Sequence, residues 1–325
     1  MIRIILIGLG QFGSRHLQSL ANLEEESNIY LVDNSKENID IAVNRFNDVY
    51  NSNFTRSSIN LISYNSLNNV SGNFDVAIIS SVAEARFDIL KNLLERASVK
   101  FLILEKFLFQ SIPEYKLASD LLKKSSVVTY VNQWISSNYQ FRRIQSWFGP
   151  EKLKMTVSGG DWGLACNSPH FVDLFESFTR EKISSSESSF DSCLPAKRKG
   201  YFEFFGSLKF STNNGSILSL QSTNISDKNI KIRLENEKKK TLITIGENQD
   251  LEIQYHHHGQ VSYEKSFMPF QSVTTSRLIQ QLMNNEELGL PNFDDSSRQH
   301  QLLLLEFLNF FRANVDSTAS HCPIT

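Results

Sequence analysis

The spacing of apolar positions changes several times along the chain, and each change marks an element. Ile4 to Ile7 is an unbroken apolar run, the pattern of a strand buried on both faces. Leu17, Leu20 and Leu23 then recur at helical spacing, and Ile29 to Val32 begins a second strand. Asp75 to Ser81 and Lys100 to Leu104 predict further strands, with helical periodicity from Phe87 to Arg96 between them. Ile112 to Lys124 predicts a helix with Pro113 near its start, where a missing N–H costs nothing. The β-branched run Val127 to Val131 closes the series. Strands that alternate with helices imply a parallel sheet covered on both faces.

Beyond residue 128 the pattern becomes one of strands separated by short polar turns. Lys152 to Val157, Phe202 to Phe210, Ile217 to Gln221, Ile230 to Leu234, Leu242 to Ile245 and Leu251 to Tyr255 predict a mainly antiparallel open sheet. Ile230, Ile232 and Leu234 alternate strictly with Lys231, Arg233 and Glu235, so one face is buried and the other meets water. Asn213-Asn214-Gly215 and Gly246-Glu247-Asn248 are hairpin-type turns. The Ser-rich stretch Ile183 to Ser192 is expected to be a mobile loop. Gln301 to Phe311 is too apolar to be exposed, so it is expected as a helix packing back on the first domain. The expected architecture is α/β: a domain built on a parallel sheet over 1–128 and an α+β domain with a mainly antiparallel open sheet over 129–325. No internal repeat is visible.

Length and composition bear on the partners. The chain has 325 residues, enough for two cores, with a formal net charge of −2. Such a balance offers no long-range attraction to nucleic acid or to an anionic membrane, and no apolar run is long enough to span one. Three widely spaced cysteines, Cys166, Cys193 and Cys322, fit a reducing compartment better than a disulfide framework. A cytoplasmic protein is expected. Phe202, Phe204 and Phe205 crowd one strand, and covering them suggests a homodimer or higher homo-oligomer through the C-terminal sheet. His256-His257-His258 lacks acidic or cysteine partners nearby and alternates between faces if it is a strand, so no metal is expected.

Candidate chemistry begins at Gly8-Leu-Gly-Gln-Phe-Gly13, between the first strand and the first helix. Gly8 permits the tight turn, Gly10 lets a pyrophosphate approach the backbone, and Gly13 allows helix and strand to pack closely. Asp33 ends the second strand twenty residues beyond Gly13, where the fold places a carboxylate on the adenosine ribose. A ribose 2'-phosphate about 4 Å from it would be repelled by roughly 4 kcal/mol at an intermediate effective dielectric. NAD is therefore expected over NADP, with Gln11, Phe12 and Asn34 beside the same site. Ser81 ends the fourth strand, and Asn132 follows the last strand of the first domain, at the junction where a nicotinamide would lie.

With Glu105-Lys106 after a later strand, Gly159-Gly160 leading to His170-Phe-Val-Asp173, and Gly289-Leu-Pro-Asn-Phe-Asp294 running into Ser297-Arg-Gln-His-Gln-Leu302, the chain resembles the glucose-fructose oxidoreductase and inositol dehydrogenase family (Gfo/Idh/MocA). His16, shortly after the glycine turn, belongs to the same set. The resemblance covers nearly the whole length and implies a dinucleotide-binding Rossmann-type domain over 1–128 and a substrate-binding and dimerisation α+β domain over 129–325. It also implies a cofactor site that includes Ser81, Glu105 and Lys106, with Lys106 and His170 as catalytic residues by the nicotinamide and substrate. A base within hydrogen-bond reach lowers the barrier for losing a hydroxyl proton as hydride leaves. Trp162, Asp173 and Arg142 are substrate candidates, and Trp134, Tyr139 and Arg143 could line the same sugar pocket.

Three positions depart from the family pattern. Phe107 stands where a proline follows Glu-Lys, and its absence is expected to remove the rigid or cis turn that orients the lysine. Cys166 occupies the place of an Asp four residues before His170, which leaves Asp161 or Asp173 to supply the charge. Arg86 replaces a His after the fourth strand. The expected function is an NAD-dependent dehydrogenase or reductase acting on a CH–OH group of a sugar, cyclitol or sugar nucleotide, in the setting of surface polysaccharide biosynthesis. The departures motivate an alternative: an NAD-binding sensor or assembly protein of the same fold with impaired catalysis. Reduction of an unsaturated or imine substrate, which would not need His170, is a third reading.

Overall fold

Ile2–Ile7 forms β1 within a parallel sheet, as the apolar run Ile4 to Ile7 requires, with Ile4, Ile5 and Leu6 fully buried. The computed structural model describes residues 1–52, 57–149, 151–227 and 229–325, and the chain divides into two compact units. The first comprises Met1–Phe109, Pro113–Asn132 and Pro269–Asp294. Here β1 is followed by α1 (Gln11–Leu20), β2 (Ser27–Val32), α2 (Lys36–Tyr50), β3 (Ile59–Tyr64), β4 (Gly72–Ile79), α3 (Ala83–Arg96), β5 (Ala97–Leu104), α4 (Ile112–Ser125) and β6 (Val128–Val131). The strand order is β3-β2-β1-β4-β5-β6, all parallel. Strand order switches direction between β1 and β4, and sheets of this kind bind ligands beyond the carboxyl ends at that point. The apolar pattern does not mark β3, because it is an edge strand in which no residue is fully buried.

The second unit comprises Gln110–Ile112, Gln133–Met268 and Asp295–Thr325. It contains α5 (Tyr139–Phe148), β7 (Lys154–Gly159), α6 (Leu164–Thr179), β8 (Ile183–Pro195), β9 (Phe202–Thr212), β10 (Ile217–Ser222), β11 (Ile230–Glu235), β12 (Lys239–Ile245), β13 (Asp250–His257) and β14 (Gln260–Phe267). These strands form one sheet in the order β14-β13-β12-β11-β7-β10-β9-β8, antiparallel except for the β7–β10 pair. On β11, Ile232 and Leu234 are buried and Lys231 and Arg233 exposed.

The stretch expected as a mobile loop is instead β8, an edge strand paired with β9 from Ile183 to Pro195 with two register shifts. Its serines mislead because an edge strand can leave polar residues in water. Phe190 turns inward, while the hydroxyls of Ser186 and Ser188 both donate to Glu306 at 2.7 Å.

Two further helices complete the chain, α7 (Gln271–Met283) and α8 (Phe293–Asn314). The segment carrying α7 belongs to the first unit, so the units do not meet at a single boundary after residue 128. Polar contacts tie α7 to α1: Thr275 bonds His16 and the Ser276 N–H donates to Ser19. The last helix was expected to return to the first domain, yet Asp295 onward lies in the second unit. There Phe307 stacks on Phe190 at 5.4 Å, and Phe311 meets Phe202 edge-on at 5.1 Å. Phe204, fully buried, touches Phe307 at 4.8 Å. The aromatic crowding read as a dimer surface is thus largely covered by the chain's own helix. No helix among the described residues is long and apolar enough to cross a membrane.

Candidate functional site

Gly8, at φ +87°, carries the turn from β1 towards α1. A Cβ on Gly13 would lie 1.8 Å from the Gly8 carbonyl oxygen, so only glycine fits where helix meets loop. Gly10 differs: a Cβ there would meet nothing within 4 Å. The N-terminus of α1 has no side-chain cap and no acidic residue in its first turn, which includes Gln11 and Phe12. Its free N–H groups and positive dipole end therefore face an open space suited to a diphosphate. The residues fit the dinucleotide that the motif implies.

Asp33 is anchored at the same loop. One carboxylate oxygen accepts the Leu9 N–H at 2.6 Å, and the other accepts the Ser35 N–H at 2.8 Å and the Asn38 amide at 3.2 Å. Asn34 beside it is exposed. Ser80 closes the loop from the β4 side by donating to the Gly8 carbonyl at 2.6 Å. The Ser81 hydroxyl and the Asn132 amide oxygen are buried with no hydrogen-bond partner among the described residues. Such groups are costly unless a ligand or water completes them.

At the end of β5, Glu105 turns into the protein. It meets His16 Nε2 at 2.9 Å and accepts a bond from the Asn132 amide, whose Nδ2 also donates to Gln271 at 2.9 Å. Burial pushes this carboxyl up, but the bond and charge of His16, the Asn132 bond and the Lys106 charge outweigh it and hold it at about 2. Glu105 is thus held ionised next to Lys106 in the chain. Lys106 Nζ lies 5.9 Å from the centre of the Phe12 ring, which is itself 53% exposed.

The Lys106–Phe107 peptide is cis, so the turn expected to vanish with the family's proline is present. Arg86, buried, holds the loops on either side. Its guanidinium donates to the carbonyls of Ser81, Phe107 and Leu108, the last at 3.0 Å. Sequence reasoning saw only that a His was replaced. A fixed guanidinium fork with several donors can tie together loops that a single imidazole could not.

In the second unit, His170 is buried on α6, with the Trp134 ring edge-on at 6.2 Å. Asp173 lies three residues along the same helix, and around it runs a buried polar network. Ser136 donates to one carboxylate oxygen and Gln299 to the other at 3.4 Å. Gln299 also donates to Glu176 at 2.8 Å and accepts from Gln133 at 3.0 Å, while Gln133 in turn donates to the Pro169 carbonyl at 2.6 Å. Burial first, then the charges of Glu176 and Asp295, raises the Asp173 carboxyl to about 7 against the bonds from Ser136 and Gln299. Gln133, Ser136 and Gln299 escaped the sequence reading, since no spacing links three segments so far apart. Cys166 is half-buried in the first turn of α6.

Trp162, a candidate for the sugar pocket, is a packing residue. It is buried, its indole N–H donates to the Gln221 carbonyl at 2.8 Å, and its ring meets Phe171 at 5.4 Å. Arg142 and Tyr139 lie instead on α5, exposed beside Arg143. Among the described residues, no group of three His, Cys, Asp or Glu side chains is placed to hold a metal ion.

Residues 2–133 match the family model described as "Oxidoreductase family, NAD-binding Rossmann fold", GFO_IDH_MocA. No curated protein sequence matches the chain. Among solved structures, the fold is similar to UDP-N-acetylglucosamine 3-dehydrogenase GnnA from Acidithiobacillus ferrooxidans, with TM-score 0.67, 15% identity, and coverage of 94% of this chain and 96% of that one. An oxidoreductase from Agrobacterium radiobacter, in complex with NAD+, L-tartaric acid and magnesium, gives TM-score 0.68 at 12% identity over 93% and 94%. The transcriptional regulator Gal80p from Kluyveromyces lactis gives 0.69 at 15% over 94% and 91%.

Proposed function

We propose, from the match of residues 2–133 to the model of an oxidoreductase family with an NAD-binding Rossmann fold, that the chain is an NAD-dependent oxidoreductase acting on a hydroxyl or keto carbon of a sugar, cyclitol or sugar nucleotide. The observation that carries this reading is the open, uncapped N-terminus of α1 in front of Gly10, with Asp33 fixed beside it. Gly8, Gly10, Gln11, Phe12 and Gly13 hold the diphosphate, Asp33 and Asn34 the adenosine ribose, and Ser81, Lys106 and Asn132 the nicotinamide end. When bound, the nicotinamide accepts or gives the hydride. Asp33 favours NAD, since it would face a 2'-phosphate as a like charge.

The remaining chemistry belongs to the chain's own residues. Lys106 presents its ammonium to the substrate oxygen and stabilises the charge that develops there. His170 takes the hydroxyl proton on a ring nitrogen. Asp173, whose carboxyl is half-protonated near neutral pH, accepts or returns that proton from one turn along α6. It serves in place of the carboxylate that Cys166 displaces. Glu105 and Arg86 fix the loop on which Lys106 stands.

A second reading, a cofactor-binding sensor or assembly protein without turnover, is favoured by Cys166 and by the likeness to Gal80p. Both readings require NAD binding. At a hundred times its dissociation constant, NAD should stabilise the fold by about 2.7 kcal/mol, visible as a raised melting temperature. No shift with NAD or NADP would remove both readings.

A further inference from the structure

We propose that a groove between α5 and the β13–β14 hairpin holds the nucleoside diphosphate end of a sugar nucleotide. This rests on the sugar-nucleotide form of the reading above. The groove encloses about 860 Å³ and is lined by Tyr139, Arg142, Arg143, Trp147, Tyr255 and Glu264 among others, within the size range of small-molecule sites.

Its walls combine aromatic faces with an excess of positive charge. Trp147 meets Tyr255 edge-on at 5.3 Å. Tyr139 is 70% exposed, with the Arg143 guanidinium 5.8 Å from its ring centre. Arg143 pairs with Glu264 at 2.8 Å. Lys239, outside the lining, lies 5.2 Å from the centre of the Trp147 ring and donates to the Trp147 carbonyl. Arg142 is exposed, and its guanidinium makes no hydrogen bond or ion pair among the described residues. Within the lining one carboxylate thus faces two guanidinium groups, and the fork left over matches phosphate oxygens. Flat rings beside it suit a nucleobase.

Along the chain, the groove lies a short way from the residues proposed for catalysis. Trp134 meets His170, and Ser136 donates to Asp173. Tyr139 follows three residues later, at most about 10 Å of extended chain. From Tyr139 to Trp147 the helix runs about 12 Å at 1.5 Å per residue. A sugar beside His170 would therefore lead its diphosphate to Arg142 and its base towards Trp147 and Tyr255.

The test is isothermal titration of the full chain, with saturating NAD+ occupying the glycine loop. UDP, dTDP and GDP are titrated separately, and turnover of free sugars is assayed in parallel. At least one nucleoside diphosphate should bind with a dissociation constant below about 1 mM. Arg142→Glu should weaken it at least tenfold, Arg142→Lys less, and neither should change NAD+ affinity or melting temperature. Equal binding to Arg142→Glu would overturn the groove while leaving a sugar nucleotide as substrate. No nucleoside diphosphate bound, with a free sugar turned over, would overturn the groove and leave the oxidoreductase reading intact. Neither binding nor turnover would overturn the groove and count against the enzyme reading as well.

Discussion

Replacing Asp173 with Asn removes a carboxyl that holds its proton more tightly in the folded chain than in the unfolded one. Burial is the main cause, the charges of Glu176 and Asp295 add to it, and the bonds from Ser136 and Gln299 only partly oppose it. The carboxyl moves from 3.8 to about 7. Three units at about 1.36 kcal/mol each disfavour its ionised form by up to about 4 kcal/mol. The raised value fixes the sign: the contribution to stability is full below the unfolded pKa near 3.8 and is lost as pH rises through about 7. An amide does not titrate, and it can still accept one of the two native hydrogen bonds. Urea denaturation of both proteins, without cofactor, should give similar stabilities near pH 4. The variant should then gain on the wild type by up to about 4 kcal/mol by about pH 8. A difference that stays constant across that window would show Asp173 ionising as an ordinary carboxylate and refute the reasoning.

Other substitutions test the remaining parts. Glu105 is depressed from 4.5 to about 2, so its contribution is present above the unfolded pKa and is lost as pH falls towards 2. Glu105→Gln should lose up to about 3 kcal/mol at neutral pH and progressively less in acid, read by the same denaturation. Gly10→Ala should melt like the wild type without cofactor, because a Cβ there meets nothing, but should lose the rise in melting temperature with NAD. Gly13→Ala, 1.8 Å from the Gly8 carbonyl, should already be destabilised without ligand. Asp33→Ala should narrow the preference for NAD over NADP at least tenfold in titration, and an unchanged ratio would remove Asp33 from the ribose site. Arg86→Met leaves three carbonyls without that donor and should cost several kcal/mol at about 1–3 each.

Most of the parallel sheet was readable because central strands such as β1 and β4 are buried on both faces and carry unbroken apolar runs such as Ile4 to Ile7 and Val76 to Ile79. Glycine spacing placed the loop, since only a residue without a side chain tolerates the contacts at Gly13. β8 was hidden because an edge strand carries serines as comfortably as a loop does. The destination of α8 was hidden because an apolar helix face does not name its partner, which turned out to be Phe190, Phe202 and Phe204. Lys106 and His170 could be singled out by motif, whereas the network around Asp173 could not. Its members, Gln133, Ser136, Asp173, Glu176 and Gln299, are ordinary polar residues whose meeting is a product of folding. Phe107 shows the reverse case: a missing proline suggested a lost turn, and buried packing with the Arg86 clamp accompanies the same turn without it.

The most direct test of the whole account is a single-turnover assay that follows reduced nicotinamide, with NAD+ and a panel of sugars and sugar nucleotides. Wild-type protein, Lys106→Ala and His170→Ala are compared. The account predicts hydride transfer by the wild type and a fall of about 10²–10⁴-fold on removing His170, with a comparable loss for Lys106. Cofactor binding without turnover of any substrate would favour the sensor reading. Turnover that neither substitution slows would contradict the proposed chemistry outright.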